Sequence, residues 1–185
     1  MARFSSVFDT ERLIVRMYEG GDAPFVLDMY SRWDVQRFLG PTPKAMQSIA
    51  EASDAIERWR GISNSNPVLG IWAITLRSSE LVGTVLLEMA PLSSDQRPRP
   101  LSDDYEIGWH LHPMHWGCGY ATEAAAGVLR RAFAAGVGEV IALIHPENER
   151  SKRVAARLGM VYQGLTSRYY SVEAPLYLAR PTRST

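Results

Sequence analysis

Tyr105-Glu106-Ile107-Gly108-Trp109-His110-Leu111-His112-Pro113, followed two residues later by Trp116-Gly117-Cys118-Gly119-Tyr120-Ala121-Thr122-Glu123-Ala124, decides how the chain is read. The first run places Tyr105, Ile107, Trp109 and Leu111 on one face and Glu106, Gly108, His110 and His112 on the other. That period of two predicts a strand with one buried face. Pro113 cannot donate to a ladder and ends it. Gly117 and Gly119 permit a tight turn through the left-handed region. Apolar residues then recur at helical spacing, from Ala121, Ala124, Ala125 and Val128 to Leu129, Ala132 and Phe133. Gly136 and Gly138 stop that helix. In a strand, glycine turn and helix, the first helical amides have no internal partner and sit at the positive end of the dipole. Such a turn suits a phosphate or pyrophosphate, and a plain connection is its alternative.

Outward from this unit, residues 13–17 alternate as a first strand, and Asp22 is placed to cap a helix through residue 31. Residues 33–43 read as a loop or broken helix, 46–62 as a second helix, and 69–76 and 80–89 as a hairpin with a bulge at Gly83. The polar, proline-containing stretch 90–103 reads as a mobile surface loop. Beyond the central helix, 140–144 is a short strand, Asn148 caps a helix to Leu158, and Gly159 stops it. Residues 161–163 and 176–179 are the last strands, and 180–185 a frayed tail. This order is α+β: a mostly antiparallel mixed sheet flanked by helices, with one parallel pair around Trp109 and Ala142.

The 185 residues, 46% apolar and 22% charged, suffice for one domain, 1–185 with a core of about 10–179. Lys plus Arg and Asp plus Glu each number 20, so net charge argues against a general nucleic-acid or anionic-membrane binder. A lone cysteine, Cys118, forms no internal disulfide and fits a reducing compartment. The N-terminus lacks the apolar run of a signal peptide, and nothing approaches the ~18 apolar residues of a membrane span. A cytoplasmic protein is expected, with neither nucleic acid nor membrane as partner.

The dinucleotide fingerprint would need glycine at Thr122, and no Gly-Lys-Ser/Thr follows the loop. The stretch instead resembles the pyrophosphate loop of the GNAT superfamily of N-acetyltransferases, Gln/Arg-x-x-Gly-x-Gly/Ala. Here it reads Trp116-Gly117-Cys118-Gly119-Tyr120-Ala121, with Trp at the Gln/Arg position. Its continuation through Thr122-Glu123-Ala124 is similar to the RimJ/RimL-like branch, as is Thr10-Glu11-Arg12-Leu13-Ile14-Val15-Arg16. A second family motif matches Asn148-Glu149-Arg150-Ser151, Val154 and Leu158-Gly159-Met160, with Met160 where the family usually has Phe. The resemblance implies that the parallel pair splays and that the pantetheine arm of acetyl-CoA, the co-substrate, lies in the gap. It implies direct acetyl transfer, in a ternary complex, to the primary amine of a protein N-terminus or a small molecule. A non-catalytic acyl-CoA sensor on the same fold is the alternative, and either a monomer or a homodimer is compatible.

By this resemblance, Trp116, Gly117, Cys118, Gly119, Tyr120, Ala121 and Thr122 form the pyrophosphate loop. Trp109, His110, Leu111 and Asn148 meet the pantetheine. An amide near Leu111 polarises the thioester carbonyl, and Arg153 meets the ribose phosphate. Acetylation needs a neutral amine and hence a base. Glu106 is the leading candidate, and a surface carboxylate paired with arginine is the plainer reading. His110 and His112 share its face and are alternative relays. The acid position usually held by tyrosine carries Ala155, so Ser151 is the candidate near the sulfur, against a role only in the first turn of its helix. Acceptor residues are expected from 33–43 and 90–103. His110, His112, His115 and Cys118 have a spacing that could suit zinc, but Pro113 and the glycine turn redirect the chain between them, so no metal is assigned.

Overall fold

A computed structural model describes residues 6–181. Residues 1–5 and 182–185, including most of the expected tail, lie outside it. Of that tail, Arg180 pairs with Glu139 at 2.6 Å.

Eight strands form one sheet in the order β1-β2-β3-β4-β5-β6-β8-β7. They are β1 (Ser6–Asp9), β2 (Leu13–Arg16), β3 (Gly70–Leu76), β4 (Leu81–Pro91), β5 (Leu101–Leu111), β6 (Val140–Leu143), β7 (Val161–Thr166) and β8 (Ala174–Ala179). The helices are α1 (Ala23–Ser31), α2 (Trp33–Gln36), α3 (Ile49–Ser65), α4 (Tyr120–Ala134) and α5 (Glu149–Arg157). Every neighbouring pair is antiparallel except β5–β6. This is the expected α+β arrangement.

The sheet separates two apolar layers. On one side Leu13, Val15, Ile74, Val85 and Ile107 meet Ala124, Ala125 and Val128 of α4 and Ala155 of α5. On the other, Val26, Met29 and Tyr30 of α1 and Ala52 and Ile56 of α3 pack around Ala73. Small residues on α4 let its axis approach the sheet closely, which positions its N-terminus over the end of β5.

Several boundaries differ from the sequence reading. The short edge strand β1 was not foreseen, and α3 runs from Ile49 to Ser65 because Ser48, not Met46, starts it: the Ser48 side chain accepts from the Glu51 amide. Asp22 precedes α1, but its carboxylate does not cap it. It takes both guanidinium nitrogens of buried Arg16, at 2.7 and 2.9 Å, because a buried cation must have a counter-charge. The expected loop 90–103 is shorter than foreseen: Ala90 and Pro91 still belong to β4 and Leu101 to Asp103 already to β5, and 92–100 connect them. Ser102 gives its hydroxyl to the Ala90 carbonyl at 2.8 Å, so a polar residue sits inside the ladder with its hydrogen bond made. The bulge foreseen at Gly83 is present, since Ile74 opposes Gly83 and Thr75 opposes Leu81.

The decisive feature is the parallel pair. β5 and β6 are in register only at Tyr105–Val140 and Glu106–Ile141. The pairing lies N-terminal to the expected Trp109–Ala142, and beyond Glu106 the two strands part. The expected splay is present, starting two residues after the pairing begins.

Candidate active site

β5 forms one wall of the gap. The His112 amide donates to the Val82 carbonyl at 3.0 Å, and Thr84 opposes His110. Antiparallel ladder bonds fall on alternate residues. His110 therefore turns its amide and carbonyl to β4, while Trp109 and Leu111 turn theirs into the gap. The Leu111 carbonyl accepts the Trp116 indole N–H at 2.8 Å, which ties the glycine turn to the end of the strand.

Gly117 and Gly119 have φ of +82° and +81°. Both values lie where a Cβ is unfavourable, as the paired glycines predicted. The turn delivers the chain into α4, and Thr122 in its first turn has a buried hydroxyl oxygen without a partner. Arg12 braces the turn from outside: Nη1 donates to the Cys118 carbonyl at 3.0 Å, and Nε to Glu123 at 2.6 Å. Its guanidinium also lies 4.9 Å from the centre of the Tyr120 ring.

A cleft of about 790 Å³ runs from this turn to α5, lined by Trp109, Leu111, Gly117, Gly119, Thr122, Asn148 and Ser151, and by Arg37, Arg150, Arg153 and Arg157. Arg150 lies over the Trp116 ring at 4.3 Å. Unpaired helix amides, an orphan hydroxyl and four guanidinium groups can hold a polyphosphate, and the open backbone of β5 can pair with amides of a slender chain. The residues present fit coenzyme A. Lys152 is spent on Glu149 at 2.6 Å.

A second cavity of about 440 Å³ adjoins the first, sharing Phe38, Leu39, Trp109, His110, Asn148 and Ser151. Glu106 stands in it. The Tyr170 hydroxyl donates to Glu106 Oε2 at 2.6 Å. Burial pushes the Glu106 carboxyl up to about 7, against the lowering effect of the Tyr170 hydrogen bond; Glu88 raises it slightly further. A carboxylate poised near neutrality can accept a proton from an amine. Tyr170 is held at φ 58° and Ser171 at 59°, a left-handed conformation costing of order 1–3 kcal/mol each. Neighbouring backbone bonds hold them there: the Tyr170 amide donates to the Pro91 carbonyl at 3.2 Å and the Ser93 amide to Arg168 at 2.8 Å.

The structure thus brings most of the expected residues to two joined cavities. Asn148 caps α5 by accepting from the Ser151 amide at 3.1 Å, and both side chains also line the cavities. Cys118 is exposed on the outer side of the turn. His110 shares a hydrogen bond with the Tyr30 hydroxyl at 2.9 Å, and burial lowers its pKa to about 4, so at neutral pH it is an uncharged, weak base. His112 faces Asp28 at 3.0 Å and His115 faces Glu80 at 3.4 Å. Among the described residues no three His, Cys, Asp or Glu side chains gather as a metal site needs. Residues 38–43 do line the second cavity, but 90–103 do not. That stretch supports the turn carrying Tyr169 and Tyr170 instead. Tyr170, Glu88 and Arg150 were not foreseen. An aromatic pair in an otherwise polar turn was the one local signal for Tyr170.

Tyr170→Phe is expected to remove a hydrogen bond that favours the Glu106 carboxylate. The Glu106 pKa should then move upward. A pH titration of kcat/KM shifted to higher pH confirms the contact, and an unmoved profile refutes it.

A mixed sheet opened at one parallel pair, with a glycine turn and helix start at its mouth, defines an acyl-CoA-using α+β protein. The sequence matches the family described as acetyltransferase (GNAT) domain over residues 12–161. The uncharacterized N-acetyltransferase YnaD of Bacillus subtilis is 41% identical over 157 residues, 84% of this chain and 82% of that one. The uncharacterized N-acetyltransferase YoaA of the same organism is 28% identical over 165 residues, 88% and 87% of the two chains. Among solved structures, a ribosomal-protein alpha-N acetyltransferase, RimL, in complex with coenzyme A superposes with a TM-score of 0.75 at 14% identity, covering 95% of this chain and 98% of that one. The chain belongs to the GNAT acetyltransferases and is an acetyl-CoA-dependent N-acetyltransferase. No helix among the described residues is long and apolar enough to cross a membrane.

Proposed function

We propose that the protein acetylates a primary amine, of a small molecule or a protein N-terminus, by direct transfer with Glu106 as the base. The observation that carries this reading is Glu106 itself: a carboxyl brought to about 7, held by Tyr170, in the cavity that joins the arginine-lined cleft. Acetyl-CoA supplies an activated acetyl group. The Gly117–Thr122 amides and the Thr122 hydroxyl hold its pyrophosphate, Arg153 its ribose phosphate, and Trp109, Leu111 and Asn148 its pantetheine. As the amine's C–N bond forms and the thioester's C–S bond breaks, Glu106 takes the amine proton. The Leu111 amide steadies the carbonyl oxygen, and Ser151 is placed to give the sulfur a proton. The RimJ/RimL-like motifs and the lone exposed cysteine fit a cytoplasmic enzyme of that branch.

Thiol release from acetyl-CoA, with and without a panel of amines, tests the reading. Amine-dependent release supports it. Tight acetyl-CoA binding without any release would instead make the protein a sensor. Acetyl-CoA should also raise Tm by about 5–10 °C at roughly a hundredfold excess over Kd. ATP, which has no partner for the β5 backbone, should do much less. Equal shifts from the two in a melting scan would count against the assignment.

A further inference from the structure

Resting on that reading, we infer that the acceptor is a small linear diamine, bound with one nitrogen at Glu106 and its second, charged nitrogen at Glu88. Glu88 and Glu106 are direct cross-strand partners of β4 and β5, so both carboxyls stand on one face, with Cβ atoms about 5.5 Å apart. Both line the second cavity. Glu106 has the Tyr170 hydroxyl as donor. The Glu88 carboxylate makes no hydrogen bond or ion pair among the described residues. Burial alone lifts its pKa, so a half-buried carboxylate is left without the donor that such a group needs.

The rest of the lining supplies no competing cation. Glu173 stands at the mouth, no Lys or Arg lines the cavity, and His110 is held neutral. His145 uses Nδ1 to accept the Glu147 amide at 3.2 Å. Arg99 favours the ionised form of Tyr170, but it is not part of the wall. The neighbouring cofactor cleft, by contrast, carries four arginines. An acceptor bearing a carboxylate would meet Glu88, Glu106 and Glu173 and no Lys or Arg in that lining. An acceptor with a second ammonium would place it on Glu88, while Phe38, Leu39, Pro41 and Leu86 cover its methylenes. The carboxyl spacing fits nitrogens separated by about three or four carbons. During transfer the nitrogen at Glu106 loses its proton to that carboxylate and gains the acetyl group, the thiol leaves, and the nitrogen at Glu88 keeps its charge.

Initial rates of thiol release are to be compared for putrescine, n-butylamine and gamma-aminobutyrate. Putrescine should exceed n-butylamine in kcat/KM by roughly 10–100-fold, the worth of one charge-assisted bond, and gamma-aminobutyrate should be the slowest. Glu88→Gln should bring the putrescine-to-butylamine ratio down toward one, mainly through KM. A merely structural role for Glu88 would lower both rates and keep their ratio. Equal rates for the two amines in the native enzyme, or a ratio that Glu88→Gln does not move, overturn the diamine assignment and leave acetyl transfer standing. No release with any amine, while acetyl-CoA binds, overturns the acetylation reading and the diamine with it.

Discussion

Glu106→Gln is expected to lower turnover by roughly 10²–10⁴, the usual contribution of a positioned base, with acetyl-CoA affinity kept. The substitution leaves the glycine turn and the β5 backbone untouched, and the amide can still accept from Tyr170. In the native enzyme kcat/KM should rise with pH and level off above about 7, as Glu106 loses its proton. In the variant that limb should vanish, leaving only the rise from the acceptor's own ionisation. Stability should move the other way. The carboxyl is raised from 4.5 to about 7 by folding, so the folded state holds the extra proton. Its contribution is complete below about pH 4.5 and is lost as pH climbs through about 7. Glu106→Gln should therefore match the native protein near pH 4 and exceed it above pH 8 by about 3 kcal/mol. Denaturant melts at the two pH values check this. Near-full activity of the variant at neutral pH would remove Glu106 from the mechanism.

Gly119→Val should weaken acetyl-CoA binding by at least ~100-fold. The residue sits at φ +81°, where a β-branched side chain costs of order 1–3 kcal/mol. Relief of that strain would turn amides away from the phosphates, and each charge-assisted bond lost adds ~1.5–3 kcal/mol. The fold should survive, because among the described residues, its chain neighbours aside, an added Cβ would meet only Arg12 Nη2, at 3.4 Å. Calorimetric titration alongside a melting curve separates the two effects. A native Kd would reduce the loop to a connection.

What was legible in the sequence follows from what is local. Two glycines that must take positive φ, a proline that ends a strand and alanines at helical spacing located the turn and α4 because each is a property of neighbours along the chain. The opposite face of β5 was not legible. Alternation shows that Glu106, Gly108 and His110 share a side, but not that Tyr30 and Tyr170 come from remote elements to cover it. Residues 101–103 looked like loop because they include Ser102 and Asp103, and only the folded neighbour at Ala90 makes the serine acceptable in a ladder. The site was therefore readable on the side built from the glycine turn. It was opaque on the side assembled from Glu88, Tyr170 and residues 38–43, which no short-range pattern unites.

The two-residue pairing of β5 with β6 gives this sheet edges in its middle. Outer edges invite other chains to add a strand, and the inner wall offers the same groups at Trp109 and at the Leu111 amide, the Leu111 carbonyl being taken by the Trp116 indole. Depth is its protection: flanked by β6, α4 and α5, the slot admits something as thin as a pantetheine arm and keeps out a polypeptide with side chains on both faces. Selectivity against aggregation and selectivity for the ligand thus arise from one dimension of the molecule, the width at which the strands part.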